Sequence, residues 1–312
     1  MTEWTEADIP DLTGRTMVVT GANSGLGLRA ATVLAENGAR VILACRSAQR
    51  GETALRSITA TGGKADLVRL DLADLASVRT AAERIRELTG DRLDVLMNNA
   101  GVMATPKRST TDGFELQFGS NHLGHAALTW LLMPALRATP NSRVVTMSSV
   151  VAMIGRLNFA DPNYEHRWYS PWTAYGQAKL ANAVFARELD RRLRAAGSHT
   201  RSIAAHPGYS KTELTANMAR SRNSVIGPVL RAFTDFGNSL IGQDVRIGVL
   251  PQLFAATADA AEGGKYYGPG GFQQLHGYPR QVPFPPGARD DSVGPRLWDV
   301  TAKLTGITPD PA

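Results

Sequence analysis

Short apolar runs alternate with amphipathic stretches along most of the chain. The run at 17–20 meets three glycines and then an alanine-rich stretch with helical spacing that stops at Gly38. A second strand is predicted at 40–44. A third follows at 65–70, after a helix opened by Ser47 and closed by Gly62 and Gly63. Further on, the pattern predicts a strand at 93–97, a long helix at 114–136, a strand at 143–147, a helix at 172–196 and a strand at 201–205. Strand and helix in alternation make a doubly wound α/β fold with a parallel sheet. No repeat, Pro/Ser-rich linker or charge block divides the 312 residues, so a single domain is expected, with a core over about 14–270 and a C-terminal extension over 271–312.

Composition refines this picture without redirecting it. Hydrophobic residues make up 43% of the chain, enough for a large core, and the net charge of +6 comes mostly from arginine. Arg187, Arg191, Arg192, Arg194 and Arg201 are concentrated, but Glu188 and Asp190 interleave with them. That mixture reads as a solvated helical face rather than a nucleic-acid surface, and no nucleic-acid partner is expected. Cys45, alone and inside VILAC, can form no intrachain disulfide and reads as a buried strand residue, as suits a reducing cytoplasm. The acidic, polar start MTEWTEADIP and the lack of any apolar run of about 18 residues predict neither secretion nor a membrane span, hence a cytoplasmic protein.

The polar residues that could carry chemistry stand just after strands, where such sheets bind ligands. Gly21, Ser24, Gly25, Leu26 and Gly27 form a strand-to-helix turn whose glycines let the backbone approach a pyrophosphate, at a helix N-terminus that favours an anion. The spacing is G-x-x-x-G-x-G, not the G-x-G-x-x-G dinucleotide fingerprint, and alone it fits a ligand-free turn equally well. Arg46 follows the second strand, where an acidic residue would bond the ribose of NAD. A guanidinium there attracts a 2′-phosphate, with Arg50 one turn on to assist, so NADP(H) is preferred over NAD(H). Asp71, beside Leu72, reads equally as a reader of the adenine edge or as the cap of the next helix. The fourth strand ends in Asn98, Asn99, Ala100 and Gly101, small enough for a cofactor to lie on the backbone; the fifth ends in Ser148 and Ser149. Tyr175 and Lys179 share one helical face at i, i+4 spacing. His122 and His125 have helical i, i+3 spacing but no completing ligands, so they read as packing residues and no metal is expected.

The ordered set Thr20-Gly21-x-x-x-Gly25-Leu26-Gly27, Asn98-Asn99-Ala100-Gly101, Asn121, Ser149 and Tyr175-x-x-x-Lys179 resembles the short-chain dehydrogenase/reductase family, over about residues 14–270. The wide gap from Ser149 to Tyr175, the run from Ala174 to Asn182 and the Tyr266-Tyr267-Gly268-Pro269 tail are similar to its retinol dehydrogenase and protochlorophyllide reductase branch. Animal retinol enzymes of that branch usually carry a membrane anchor, which is not seen here. The resemblance implies a Rossmann fold and an NADP-dependent carbonyl reductase or alcohol dehydrogenase. Tyr175 would be the proton donor, Lys179 would adjust its acidity, and Ser149 would donate a hydrogen bond to the reacting oxygen. Asn121 would hold a relay water. Pro207, Gly208 and Thr212 would embrace the nicotinamide end. Family members often pair through the long helices holding Asn121 and Tyr175, which is compatible with a homodimer or homotetramer. The other class of reading is a catalytically silent NADP-binding module that senses redox state. Finally, Phe159, Tyr164, Trp168, Tyr169 and Trp172 crowd the segment 150–173, and a second apolar segment covers 213–240. Together they are expected to build a pocket for a small hydrophobic carbonyl or alcohol substrate; sealing a domain edge or an oligomer contact is the competing reading.

Overall fold

The computed structural model describes residues 3–208 and 244–311. At its centre lies β1 (Thr16–Thr20), buried from Met17 onward. Val18 faces one core while Met17 and Val19 face the other, so the run is continuous rather than alternating. On one side β1 pairs with β2 (Arg40–Cys45), which pairs with β3 (Lys64–Arg69). On the other it pairs with β4 (Val95–Asn98), followed by β5 (Arg143–Met147), β6 (Arg201–Ala205), β7 (Tyr266–Pro269) and β8 (Pro279–Gln281). The order is β3-β2-β1-β4-β5-β6-β7-β8. Strand order reverses between β1 and β4, and a crevice opens there at the carboxyl ends.

One face of the sheet is covered by α1 (Gly25–Glu36), α2 (Ala48–Thr59), α7 (Val245–Gly248) and α8 (Leu250–Thr257). The other carries α3 (Leu75–Thr89), a short α4 (Leu116–Phe118), α5 (Gly124–Arg137), α6 (Pro171–Ala195) and α9 (Val293–Thr305).

Three features differ from the sequence expectation. The sheet is not wholly parallel, because β8 runs antiparallel to β7; the residues between them are too few for a crossover helix. The helix expected over 114–136 is broken by a π-helical turn, Gly119–Leu123, between α4 and α5. One extra residue in a turn leaves an apolar pattern almost unchanged, so periodicity does not reveal it. Lastly, the arginine-rich face is half buried. Glu188 and Asp190 are only 4% and 3% exposed, and they hold Arg191, Arg192 and Arg194 at 2.6–2.7 Å.

Asp190 is covered by Gly263 and Gly264 and accepts from Ser202 N–H at 3.1 Å, while the burial of the rest of that face comes from α9. Trp298 stacks on Phe185 at 5.5 Å, meets Trp130 edge-on at 4.9 Å and lies under the Arg192 guanidinium at 4.7 Å. Part of the surface of α5 and α6 is therefore covered by α9.

Candidate active site

The turn between β1 and α1 owes its glycines to contacts inside the chain. Gly21 has φ +67°, and a Cβ there would sit 3.0 Å from Ala100; a Cβ on Gly27 would fall 2.5 Å from both Asn99 Nδ2 and the Gly21 carbonyl. The turn is thus pressed onto the stretch that follows β4. Thr20 welds the two: its hydroxyl accepts the Asn99 and Ala100 N–H groups, each at 2.9 Å, and its carbonyl accepts from Asn99 Nδ2 at 2.8 Å.

Along this weld runs a cleft of about 330 Å³. It is lined by Gly21, Ser24, Gly25, Leu26 and Gly27, by Arg46, Asp71 and Leu72, by Asn99, Ala100 and Gly101, and by Tyr175 and Lys179. Tertiary structure thus brings residues that follow four strands, and two from α6, to one place. Asn23, Ser47, Val102, Met103 and Ser120 line it as well; of these the sequence marks only Ser47, and as a helix opener. Ser24 is the extended N-cap of α1 and its side chain makes no capping bond. Arg46 and Arg50 are exposed at the cleft's far end, and among the described residues neither forms an ion pair with a carboxylate. Asp71 does not cap α3: Asp74 does, accepting from the Ala76 and Ser77 N–H groups at 2.9 and 3.2 Å. Asp71 instead accepts from Ala73 N–H at 3.0 Å and faces the cleft.

Tyr175 and Lys179 lie one turn apart on α6. Tyr175 is 2% exposed, and the Lys179 ammonium stands 5.8 Å from its ring centre while donating to the Met147 carbonyl at 3.1 Å. Ser148 fixes α6 to the end of β5 by donating to the Lys179 carbonyl at 2.8 Å. Ser149 caps the 3-10 turn Val150–Ile154, where its hydroxyl accepts from Val151 N–H at 3.3 Å. Asn121, in the π-helical turn, spends its side chain on Val102, accepting from its N–H and donating to its carbonyl, both at 2.8 Å. A Cβ on Gly101 would touch Asn121 Oδ1 at 3.2 Å and Lys179 Nζ at 3.4 Å, so the two polar heads flank that glycine. Ser149, Asn121, Pro207 and Gly208 are not part of the cleft lining. Pro207 and Gly208 follow β6, with Gly208 at φ +69°. Thr212 and the apolar segment 213–240 fall outside the described residues.

Both paired histidines are buried and hydrogen-bonded within the chain. His122 joins Asn182 on α6 at 3.3 Å and Thr301 on α9 at 2.9 Å; His125 joins Thr20 and the Asn121 carbonyl, each at 2.9 Å.

The aromatic segment before α6 is not a uniform pocket wall. Tyr164 is buried beneath Arg167 at 3.5 Å and Phe159 lies beneath Arg296 at 4.5 Å. Tyr169 donates to the Thr105 carbonyl at 2.8 Å and accepts from Gln117 at 3.0 Å, while desolvation pushes its phenol up to about 12. Phe159 and Tyr169 fasten the segment to the domain, while Tyr164 packs on Arg167 and Tyr169 within it. Trp172 remains half-exposed beside Tyr175, ring centres 6.5 Å apart, and Trp168 is exposed.

Residues 15–223 match the short chain dehydrogenase family model. The chain is 37% identical to human retinol dehydrogenase 13 over 310 residues, covering 97% of this chain and 87% of that one. It is 40% identical to mouse retinol dehydrogenase 12, covering 97% and 89%. The crystal structure of an uncharacterized protein from Mycobacterium paratuberculosis superposes with a TM-score of 0.81 at 42% identity, over 98% of both chains. Cleft, strand order and matches agree: the chain belongs to the short-chain dehydrogenase/reductase family, oxidoreductases that work with a nicotinamide cofactor.

Proposed function

We propose that this protein interconverts a hydrophobic carbonyl compound and its alcohol with NADP(H), through Tyr175, Lys179, Ser149 and Asn121. The observation that carries the reading is the co-location in one cleft of the glycine turn, Arg46 and the Tyr175–Lys179 pair. The residues fit a dinucleotide. Small side chains at 99–101 and the open first turn of α1 admit a pyrophosphate, and Arg46 and Arg50 present two uncommitted guanidiniums where a 2′-phosphate would sit.

A bound nicotinamide supplies or accepts the hydride. The rest of the work falls to the chain. As a carbonyl is reduced its oxygen gains negative charge, and the Tyr175 phenol can give that oxygen a proton; in oxidation the same group takes the proton back. Ser149 offers a second hydrogen bond to the same oxygen, which stabilises the charge where it develops. Lys179, held by the Met147 carbonyl, keeps a positive charge beside the Tyr175 ring. Trp172 supports an apolar substrate: its ring edge stands by Tyr175 and stays accessible.

NADPH oxidation with a graded series of aldehydes and ketones tests the activity. Turnover should rise with apolar size; a series in which short polar aldehydes are best rejects the hydrophobic substrate, and no turnover at all favours a silent binding module. Cofactor choice has its own test. Replacing Arg46 by Asp removes charge-assisted bonds worth about 1.5–3 kcal/mol, so NADPH affinity should fall by about 10- to 100-fold and the preference should pass to NADH. Equal wild-type affinity for the two cofactors would refute the role of Arg46.

A further inference from the structure

The imidazole of His125 joins the floor of the cleft to the π-helical turn. His125 is 1% exposed and sits one α-helical turn after Asn121. Its Nδ1 lies 2.9 Å from the Asn121 carbonyl. A carbonyl only accepts, so Nδ1 carries the hydrogen and Nε2 is bare. The Thr20 hydroxyl, 2.9 Å away, then donates to Nε2 in preference to the Met97 carbonyl at 3.3 Å. That hydroxyl is already the acceptor for Asn99 and Ala100 N–H. The hydrogen bonds therefore run one way, from the main chain under the cleft through Thr20 and His125 to Asn121, whose side chain closes the circuit on Val102. Every side chain in it is buried, so no water substitutes for a lost link.

We propose that His125 is a positioning residue with two separable arms: Nδ1–H orients Asn121 for catalysis, and Nε2 sets Thr20 and hence the cofactor floor. The proposal rests on the reductase reading for its first arm only. Among the described residues no other side chain donates to the Asn121 carbonyl, and the widened turn departs from the regular helical ladder that would otherwise fix its direction. The role is distinct from filling space, because an apolar ring of the same size would leave the Thr20 hydroxyl and the Asn121 carbonyl without this partner.

Two substitutions divide the arms. In His125→Asn the side-chain amide reaches the place of Nδ1 and keeps the bond to Asn121, but it is too short for Thr20. In His125→Gln the amide reaches the place of Nε2 and keeps Thr20, but loses Asn121. Steady-state kinetics should show a cross-over. His125→Asn should raise the KM and the directly titrated Kd for NADPH by about tenfold with kcat near wild type; His125→Gln should lower kcat by about tenfold with NADPH binding near wild type. Thermal midpoints measured alongside expose a merely structural role. If both variants lose kcat and affinity together, in step with their loss of thermal midpoint, or if neither changes, the proposal is overturned. A wild-type protein that binds NADPH but reduces no carbonyl would overturn the reductase reading instead, and the Kd difference between the two variants would still decide the Thr20 arm.

Discussion

Substituting Tyr175 by Phe should lower kcat by about 10²- to 10⁴-fold, the range a positioned proton donor contributes, while NADPH still binds with near wild-type affinity. The phenol oxygen is the only atom lost. The ring is 2% exposed, packs edge-on against Trp172 and lies near the Lys179 ammonium, and phenylalanine keeps all of that volume. A fall in kcat without a fall in affinity or thermal midpoint would separate chemistry from folding. Turnover within a few-fold of wild type would take Tyr175 out of the reaction and leave the cleft as a binding site.

Mild acid should destabilise the protein before its carboxylates begin to titrate. His122, His125 and His206 are buried, and desolvation lowers their folded pKa values to about 4, 3 and 4 from an ordinary 6.5. His125 and His206 are also held neutral by geometry, since one ring nitrogen of each accepts a hydrogen bond. His206, for example, accepts from Gly208 N–H at 3.2 Å through Nδ1, so its Nε2–H faces Gln274 at 3.1 Å. Between the folded and unfolded values the unfolded chain binds more protons, so stability is full above the unfolded pKa and drains away as pH falls towards 4. Each histidine then costs about 1.4 kcal/mol per pH unit, or about 2 kcal/mol at pH 5, and the three together about 5–6 kcal/mol. Burial raises the Glu115 and Asp190 carboxyls and works in the opposite direction at the lower end of this window. A net loss of several kcal/mol is a large share of the stability of an ordinary domain. Urea midpoints at pH 7 and pH 5 would show it; equal midpoints would mean that the three imidazoles are not locked neutral.

The histidines illustrate how far the sequence reaches. Their i, i+3 spacing and the absence of completing ligands were enough to read His122 and His125 as packing residues. Which partners they take depends on Thr20, Asn182 and Thr301, which lie up to 179 residues away in the chain. The glycine turn between strand and helix was legible in the sequence, yet the tightest reason for Gly27 is the Asn99 side chain, 72 residues on, and only the pairing of β1 with β4 puts it there.

What the sequence determined by itself is local or ordered: alternating strand and helix from periodicity, helix ends from glycine and serine, and the succession of Gly21, Asn99, Ser149, Tyr175 and Lys179 along the chain. What only the tertiary structure decided is whatever depends on distant segments meeting. The π-helical turn at Asn121 leaves the apolar pattern unaltered. The antiparallel β8 depends on a short connection folding back. Of the aromatic rings in 150–173, Phe159 and Tyr169 are consumed as anchors by Arg296, Gln117 and Thr105, and composition cannot distinguish an anchor from a pocket wall. The covering of α5 and α6 by α9 follows the same rule: Trp298 finds Trp130 and Phe185 across more than a hundred residues of chain, because burying three aromatic rings together removes more apolar surface from water than leaving that helix free.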